Sequence, residues 1–83
     1  MNKLIYFSAP WCQPCKKFGP IMDRIAQTGI PVQKIDVDQD RGSALEYRIR
    51  SVPTVVKVDS KGRILDKHIG VASEEKIRKF YNG

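Results

Sequence analysis

The sequence predicts an α/β fold, with one four-stranded mixed sheet carrying helices on both faces in the order β-α-β-α-β-β-α. Three observations predict it. A short run rich in β-branched and aromatic residues opens the chain, an amphipathic helical stripe follows, and two further β-rich stretches meet at a tight turn near the end.

The first strand is Lys3 to Ser8 (KLIYFS), which stops at Ala9–Pro10 because proline cannot donate to a strand ladder. After Cys12 the apolar residues Phe18, Ile21, Met22 and Ile25 fall at i, i+3, i+4 and i+7, the buried face of a helix. Thr28–Gly29 supplies its stop, since glycine tolerates the left-handed conformation beyond a helix end. Pro20 lies inside the pattern and should bend the helix, because it lacks an amide and crowds the preceding turn.

Pro31 to Val37 reads as the second strand, and strand–helix–strand in this order fits a parallel pair with a right-handed crossover. A short helix is expected over Gly42 to Tyr47. Thr54 to Val58 (TVVKV) is a third strand, and the Ser60–Lys61–Gly62 turn joins it to an antiparallel partner from Arg63 to Ile69. Ser73 can cap a last helix, with Glu74 and Glu75 in its favourable first turn and Ile77, Phe80 and Tyr81 on its apolar side.

At 83 residues the chain has room for one domain. It is 41% hydrophobic and 29% charged, values too ordinary to suggest disorder. The 15 Lys and Arg against 9 Asp and Glu leave a net charge of +6. Those cations are spread along the chain without an interleaved aromatic motif, which favours a solvated basic surface over a nucleic-acid site. Lys3 precedes an apolar run of only four residues, Leu4 to Phe7, too short for a secretory signal core or a membrane span. The expected compartment is therefore a reducing cytoplasm, where two cysteines three apart are catalytic or metal-binding rather than structural.

Cys12-Gln13-Pro14-Cys15 sits where the first strand ends and the first helix begins. The first turn of a helix has unpaired amides and a positive dipole end, so a thiolate there is stabilised and more reactive. Pro14 is tolerated because its missing amide would have no partner in that turn. Residues three apart share a helix face, so Cys15 can reach Cys12. Cys12 is expected at the exposed helix start as the nucleophile that attacks a disulfide. Cys15, further inward and more shielded, is expected to resolve the mixed disulfide. The direction of the cycle is not set by these residues. Half of a zinc site remains an alternative, although it needs two further ligands and His68 is the single histidine. A structural cross-link over so short a loop would add little stability.

The stretch Ser8-Ala9-Pro10-Trp11-Cys12-Gln13-Pro14-Cys15-Lys16 resembles the active-site segment of the thioredoxins. Three further features match in order: Lys34-Ile35-Asp36-Val37-Asp38, the loop Arg48-Ile49-Arg50-Ser51-Val52-Pro53-Thr54, and Gly70 after the last strand. The resemblance covers essentially the whole chain and implies the thioredoxin fold. It implies a cis Pro53 against the cysteine pair and a Val52 backbone free to pair with an extended substrate. It also implies Trp11 as an apolar contact surface, Gly70 as a point of close substrate approach, and Lys34 beneath the site. Gln13 and Pro14, between the cysteines, help to set the redox potential.

The resemblance has departures. Lys3 opens directly into the strand before the cysteines, where longer thioredoxins have an extra strand and helix, so the form is minimal and glutaredoxin-sized. Tyr6 stands where the family carries a buried Asp that handles the proton of the second cysteine, which leaves water or a group such as Asp38 to take that role. Gln13 replaces the usual glycine.

The function implied is a monomeric protein-disulfide reductase of electron transport and cell redox homeostasis. It would bind no cofactor or metal, cycle a Cys12–Cys15 disulfide, and draw electrons from NADPH through a thioredoxin-reductase-like flavoprotein. Nucleic acid and membrane are not expected partners. The alternatives are a glutathione-dependent, glutaredoxin-like enzyme, though only one glycine occupies Ile69-Gly70-Val71-Ala72-Ser73, and a thioredoxin-like binding subunit.

Overall fold

The computed structural model describes residues 1–83. Its elements are β1 (Lys3–Ser8), α1 (Gln13–Gln27), β2 (Val32–Asp36), α2 (Arg41–Glu46), β3 (Thr54–Val58), β4 (Ile64–Ile69) and α3 (Glu74–Asn82). The sheet order is β2-β1-β3-β4. β1 pairs in parallel with β2 (Tyr6 opposite Lys34) and antiparallel with β3 (Tyr6 opposite Val55), and β3 pairs antiparallel with β4.

Strand alternation divides the core. Leu4 and Tyr6 of β1 and Val55 of β3 meet Phe18, Met22 and Ile25 of α1 and Ile77 of α3 on one face. Ile5, Phe7, Val56, Val58 and Ile35 form the other, flanked by Tyr47 and Ile49 from the segment after α2. Each fully buried large apolar side chain contributes about 1.5–3 kcal/mol. Phe7 and Tyr47 lie 5.7 Å apart between ring centroids, and Tyr6 meets Phe18 edge-on at 5.5 Å.

The boundaries follow from local hydrogen bonding. Thr28 ends α1 and Gly29 follows at φ +101°, its amide donating to the Ala26 carbonyl at 3.2 Å. The helix continues through Pro20, which is exposed. β2 is shorter than Pro31 to Val37, although the Val37 amide still bonds the Ser8 carbonyl at 2.9 Å. α2 starts at Arg41 rather than Gly42, because the Asp40 carboxylate caps it by accepting the Ser43 amide at 3.0 Å. β4 starts at Ile64 rather than Arg63, because the Asp59 carboxylate accepts the amides of Lys61 and Arg63 at 2.9 Å each and draws both into the turn. Ser73 caps α3 through the Lys76 amide at 3.1 Å. No helix is long and apolar enough to cross a membrane.

Candidate active site

β1 ends one turn short of α1, and the connection delivers Cys12 to the N-cap position of that helix. Cys12 has extended backbone (φ −88°, ψ 107°), Gln13 and Pro14 open the helix, and Cys15 follows in the first turn. The Cys15 amide donates to Cys12 Sγ at 3.2 Å, so the sulfur occupies the place where a serine or aspartate oxygen usually caps a helix. No acidic side chain occupies the first turn of α1. An anion on Cys12 would therefore meet an aimed amide and the positive end of the helix dipole, with no carboxylate in that turn opposing it.

Cys12 and Cys15 form a disulfide with Cα atoms 5.3 Å apart. The two sulfur residues are buried to a similar degree, with Cys12 at 4% and Cys15 at 7% exposure. The expected contrast between an exposed Cys12 and a shielded Cys15 is thus absent in this oxidised form. Ala9 packs with the pair, and Val37 and Val52 close over it. These residues come from three separate segments, so the shielding is tertiary and has no local sequence signal.

The Val52–Pro53 peptide bond is cis, and Pro53 is buried. Neither the amide nor the carbonyl of Val52 enters a backbone hydrogen bond. Gly70 adopts φ +95°, and its amide donates to the Pro53 carbonyl at 2.9 Å. Trp11 is 65% exposed, with its indole Nε1 donating to Asp38 Oδ2 at 2.9 Å. That bond directs Asp38 to Trp11, on the outer side of the site. Trp11, Val37, Ala44, Ile49 and Val52 line an open, mostly apolar groove of about 150 Å³, with Arg50 and Ser51 completing it.

A second cleft, of about 300 Å³, opens behind Cys15 between β1, α1 and β2. Tyr6, Ser8, Lys34, Asp36, Lys16 and Gly19 are among its walls. Lys34 is exposed at this cleft and pairs with Asp23 of α1. Tyr6 is 2% exposed, and its hydroxyl donates to the Cys15 carbonyl at 3.4 Å, a long contact. Burial pushes the Tyr6 phenol above its ordinary value; a hydrogen bond with Ser8 opposes this, and the Asp23 charge adds to it. Tyr6 is thus a neutral hydroxyl where the resemblance would place a carboxylate. Asp23 escaped the reading of the sequence, although Lys16, Gly19 and Asp23 follow the i, i+3, i+7 spacing of one helix stripe. No group of three or more His, Cys, Asp and Glu side chains is gathered to hold a metal ion.

The thioredoxin family profile matches residues 1–82. The thioredoxin of Mycoplasmoides gallisepticum is 38% identical over 79 residues, covering 93% of this chain and 78% of that protein. The mitochondrial thioredoxin of Bos taurus is 35% identical over 80 aligned positions, with 93% of this chain and 48% of the bovine protein covered, so the chain spans about half the length of that relative. Among solved structures, a mutant thioredoxin from Halobacterium salinarum superposes with a TM-score of 0.88 at 33% identity, covering 98% of this chain and 72% of that one. Fasciola hepatica thioredoxin gives 0.86 at 30% identity, covering 98% and 78%. A match from end to end, in sequence and in three dimensions, carries the conclusion that this chain belongs to the thioredoxin family.

Proposed function

We propose that the chain is a protein-disulfide reductase working by dithiol–disulfide exchange. The observation that carries this reading is the Cys15 amide aimed at Cys12 Sγ at the start of α1. In the reduced form that amide and the helix dipole stabilise a Cys12 thiolate, which attacks one sulfur of a substrate disulfide. A bond forms between Cys12 and that sulfur as the substrate S–S bond breaks, and the departing thiolate takes a proton from water. Cys15 then loses its proton and attacks Cys12 Sγ. The Cys12–Cys15 disulfide forms, and the second substrate sulfur leaves as a thiol. Two electrons pass from the protein to the substrate.

The free backbone groups of Val52 are available to pair with an extended substrate segment as an added strand. Pro53, Gly70 and Trp11 shape the surface on which that segment rests. Gln13 and Pro14 shape the turn between the cysteines, and Lys34 faces the cleft behind Cys15. The cycle closes when a thioredoxin-reductase-like flavoprotein returns two electrons from NADPH. The protein acts as a single-domain monomer in the cytoplasm and binds no cofactor of its own.

Reduction of insulin by the purified chain tests this, driven by NADPH with thioredoxin reductase and separately by glutathione with its reductase. Turnover with thioredoxin reductase that disappears in Cys12→Ser is the expected result. Turnover with glutathione alone would move the chain to the glutathione-dependent class. Insulin left intact even by the dithiothreitol-reduced chain would overturn the reading.

A further inference from the structure

Resolution of the mixed disulfide requires Cys15 to lose a proton, yet Cys15 is 7% exposed and packs with Ala9, Val37 and Val52. The cleft of about 300 Å³ behind Cys15 gives that proton a way out. Two strands bring polar side chains to it. Ile35 packs with Phe7 on the far side of the sheet, so alternation turns Lys34 and Asp36 towards α1. The parallel register sets Tyr6 opposite Lys34 and Ser8 opposite Asp36.

The charged and titratable groups around Asp36 are Tyr6 on β1, Lys34 on β2, Lys16 and Asp23 on α1, and Asp38 in the segment that follows. The Lys16 and Lys34 ammonium groups have no acceptor, and Lys34 is paired with Asp23. Tyr6 is a neutral phenol that donates to the Cys15 carbonyl. The Ser8 hydroxyl can relay a proton but not retain it. Asp38 is turned to the Trp11 indole. Asp36 is the one carboxylate in the cleft wall. Its Oδ1 accepts the Asp38 amide at 2.9 Å, which fixes the side chain and leaves Oδ2 without a protein partner. The cleft is polar and wide enough for water to link Oδ2 to the thiol, since each water takes about 30 Å³.

We propose that Asp36 accepts the proton of Cys15 during resolution, through water in the cleft lined by Ser8 and Tyr6. This deepens the reductase reading and rests on it. In the mixed disulfide the Cys15 S–H bond breaks and its proton passes to Asp36 Oδ2. The Cys15 sulfur bonds Cys12 Sγ, the bond from Cys12 to the substrate sulfur breaks, and the electron pair leaves with the substrate. Asp36 then returns its proton to solvent at the open side of the cleft, and the departing substrate sulfur takes one up.

The test mixes dithiobis(nitrobenzoate) with an excess of the reduced chain, which releases two coloured thiolates in turn. The first release reports attack by Cys12 and scales with protein concentration. The second reports attack by Cys15 and does not. Near about pH 6, below the ordinary thiol value of about 8.5, Asp36→Asn should slow the second phase about a hundredfold and keep the first. That slowed phase should climb about tenfold per pH unit, because hydroxide replaces the lost carboxylate, whereas the parent's climbs less. Asp36→Ser keeps a turn-forming side chain and leaves room for a small carboxylate, so added formate should speed its second phase but not the parent's. Asp66→Asn, on the opposite edge strand, removes the same charge and should leave both phases as in the parent. A second phase unchanged in Asp36→Asn, or slowed with the parent's pH dependence and no formate response in Asp36→Ser, would overturn the proposal and leave the reductase reading standing. A parent chain with no first phase would remove both.

Discussion

The amide of Gly70 donates to the carbonyl of Pro53 at 2.9 Å, joining the turn after β4 to the loop beside the disulfide. Gly70 makes that bond at φ +95°, where a side chain is disfavoured even though nothing lies within 4 Å of the place a Cβ would take. Gly70→Ala should therefore lose stability through backbone conformation alone, by about 1–2 kcal/mol. Urea unfolding measures it, and a variant as stable as the parent would contradict the assignment.

Trapping separates the two cysteines. Cys15→Ser should accumulate a stable mixed disulfide with substrate, because the second attack is lost. Cys12→Ser should accumulate none. Non-reducing gels after incubation with insulin read both outcomes, and a trapped species through Cys15 alone would reverse the roles.

Tyr6 offers a test in alkali. Burial holds its phenol above the usual 10.0, so the folded chain keeps a proton that the unfolded chain gives up. The associated stability is complete below pH 10 and declines as pH rises past it. Tyr6→Phe should flatten that alkaline decline. At neutral pH it should cost at most about 1 kcal/mol, because the lost hydrogen bond is long while the ring contact with Phe18 remains. Tyr6→Ala, which empties a core position, should cost about 3–5 kcal/mol. Thermal melts across pH 7–11 give both results.

Glu74 governs part of the acid limb. Hydrogen bonds from Arg78 and then Arg24 hold its carboxyl below the ordinary 4.5. A folded value below the unfolded one means stability that is present above pH 4.5 and lost as pH falls through the lower folded value. Glu74→Gln should lower the melting temperature slightly at neutral pH, and the difference from the parent should vanish in acid. Because the group is exposed, about 0.5 M salt should also shrink the effect.

What could be read in the sequence followed physical period. β1 and α1 announce themselves through β-rich composition and the Phe18, Ile21, Met22, Ile25 stripe, and the cysteine pair falls at their junction. α2 is harder, with six residues, none buried, and Leu45 79% exposed, so no apolar face marks it. Its Asp40 cap is the usable signal. Lys57 is the clearest misfit: a lysine within TVVKV suggests an exposed position, yet it is 6% exposed because its ammonium reaches the carbonyl end of α3. The shared burial of Cys12 and Cys15 is equally hidden, since Ala9, Val37 and Val52 converge only in the folded chain. The same holds for the Trp11–Asp38 bond, which spans 27 positions.

The place of β1 between β2 and β3 has a consequence for how the chain emerges from the ribosome. Lys3–Ser8 is made before either of its partners, so one of its edges waits for Val32–Asp36 and the other for Thr54–Val58. The segment holding Leu4, Ile5, Tyr6 and Phe7, each at most 2% exposed once folded, is therefore the most in need of shelter while translation proceeds. The backbone hydrogen bonds of α1 are local, but its apolar face waits for Val55 and Ile77 as well as for β1. The sheet waits too, and the cysteines reach their final setting only after Val52 and Pro53 have been synthesised. Competence for exchange thus arrives late and all at once, when the third strand closes on the first.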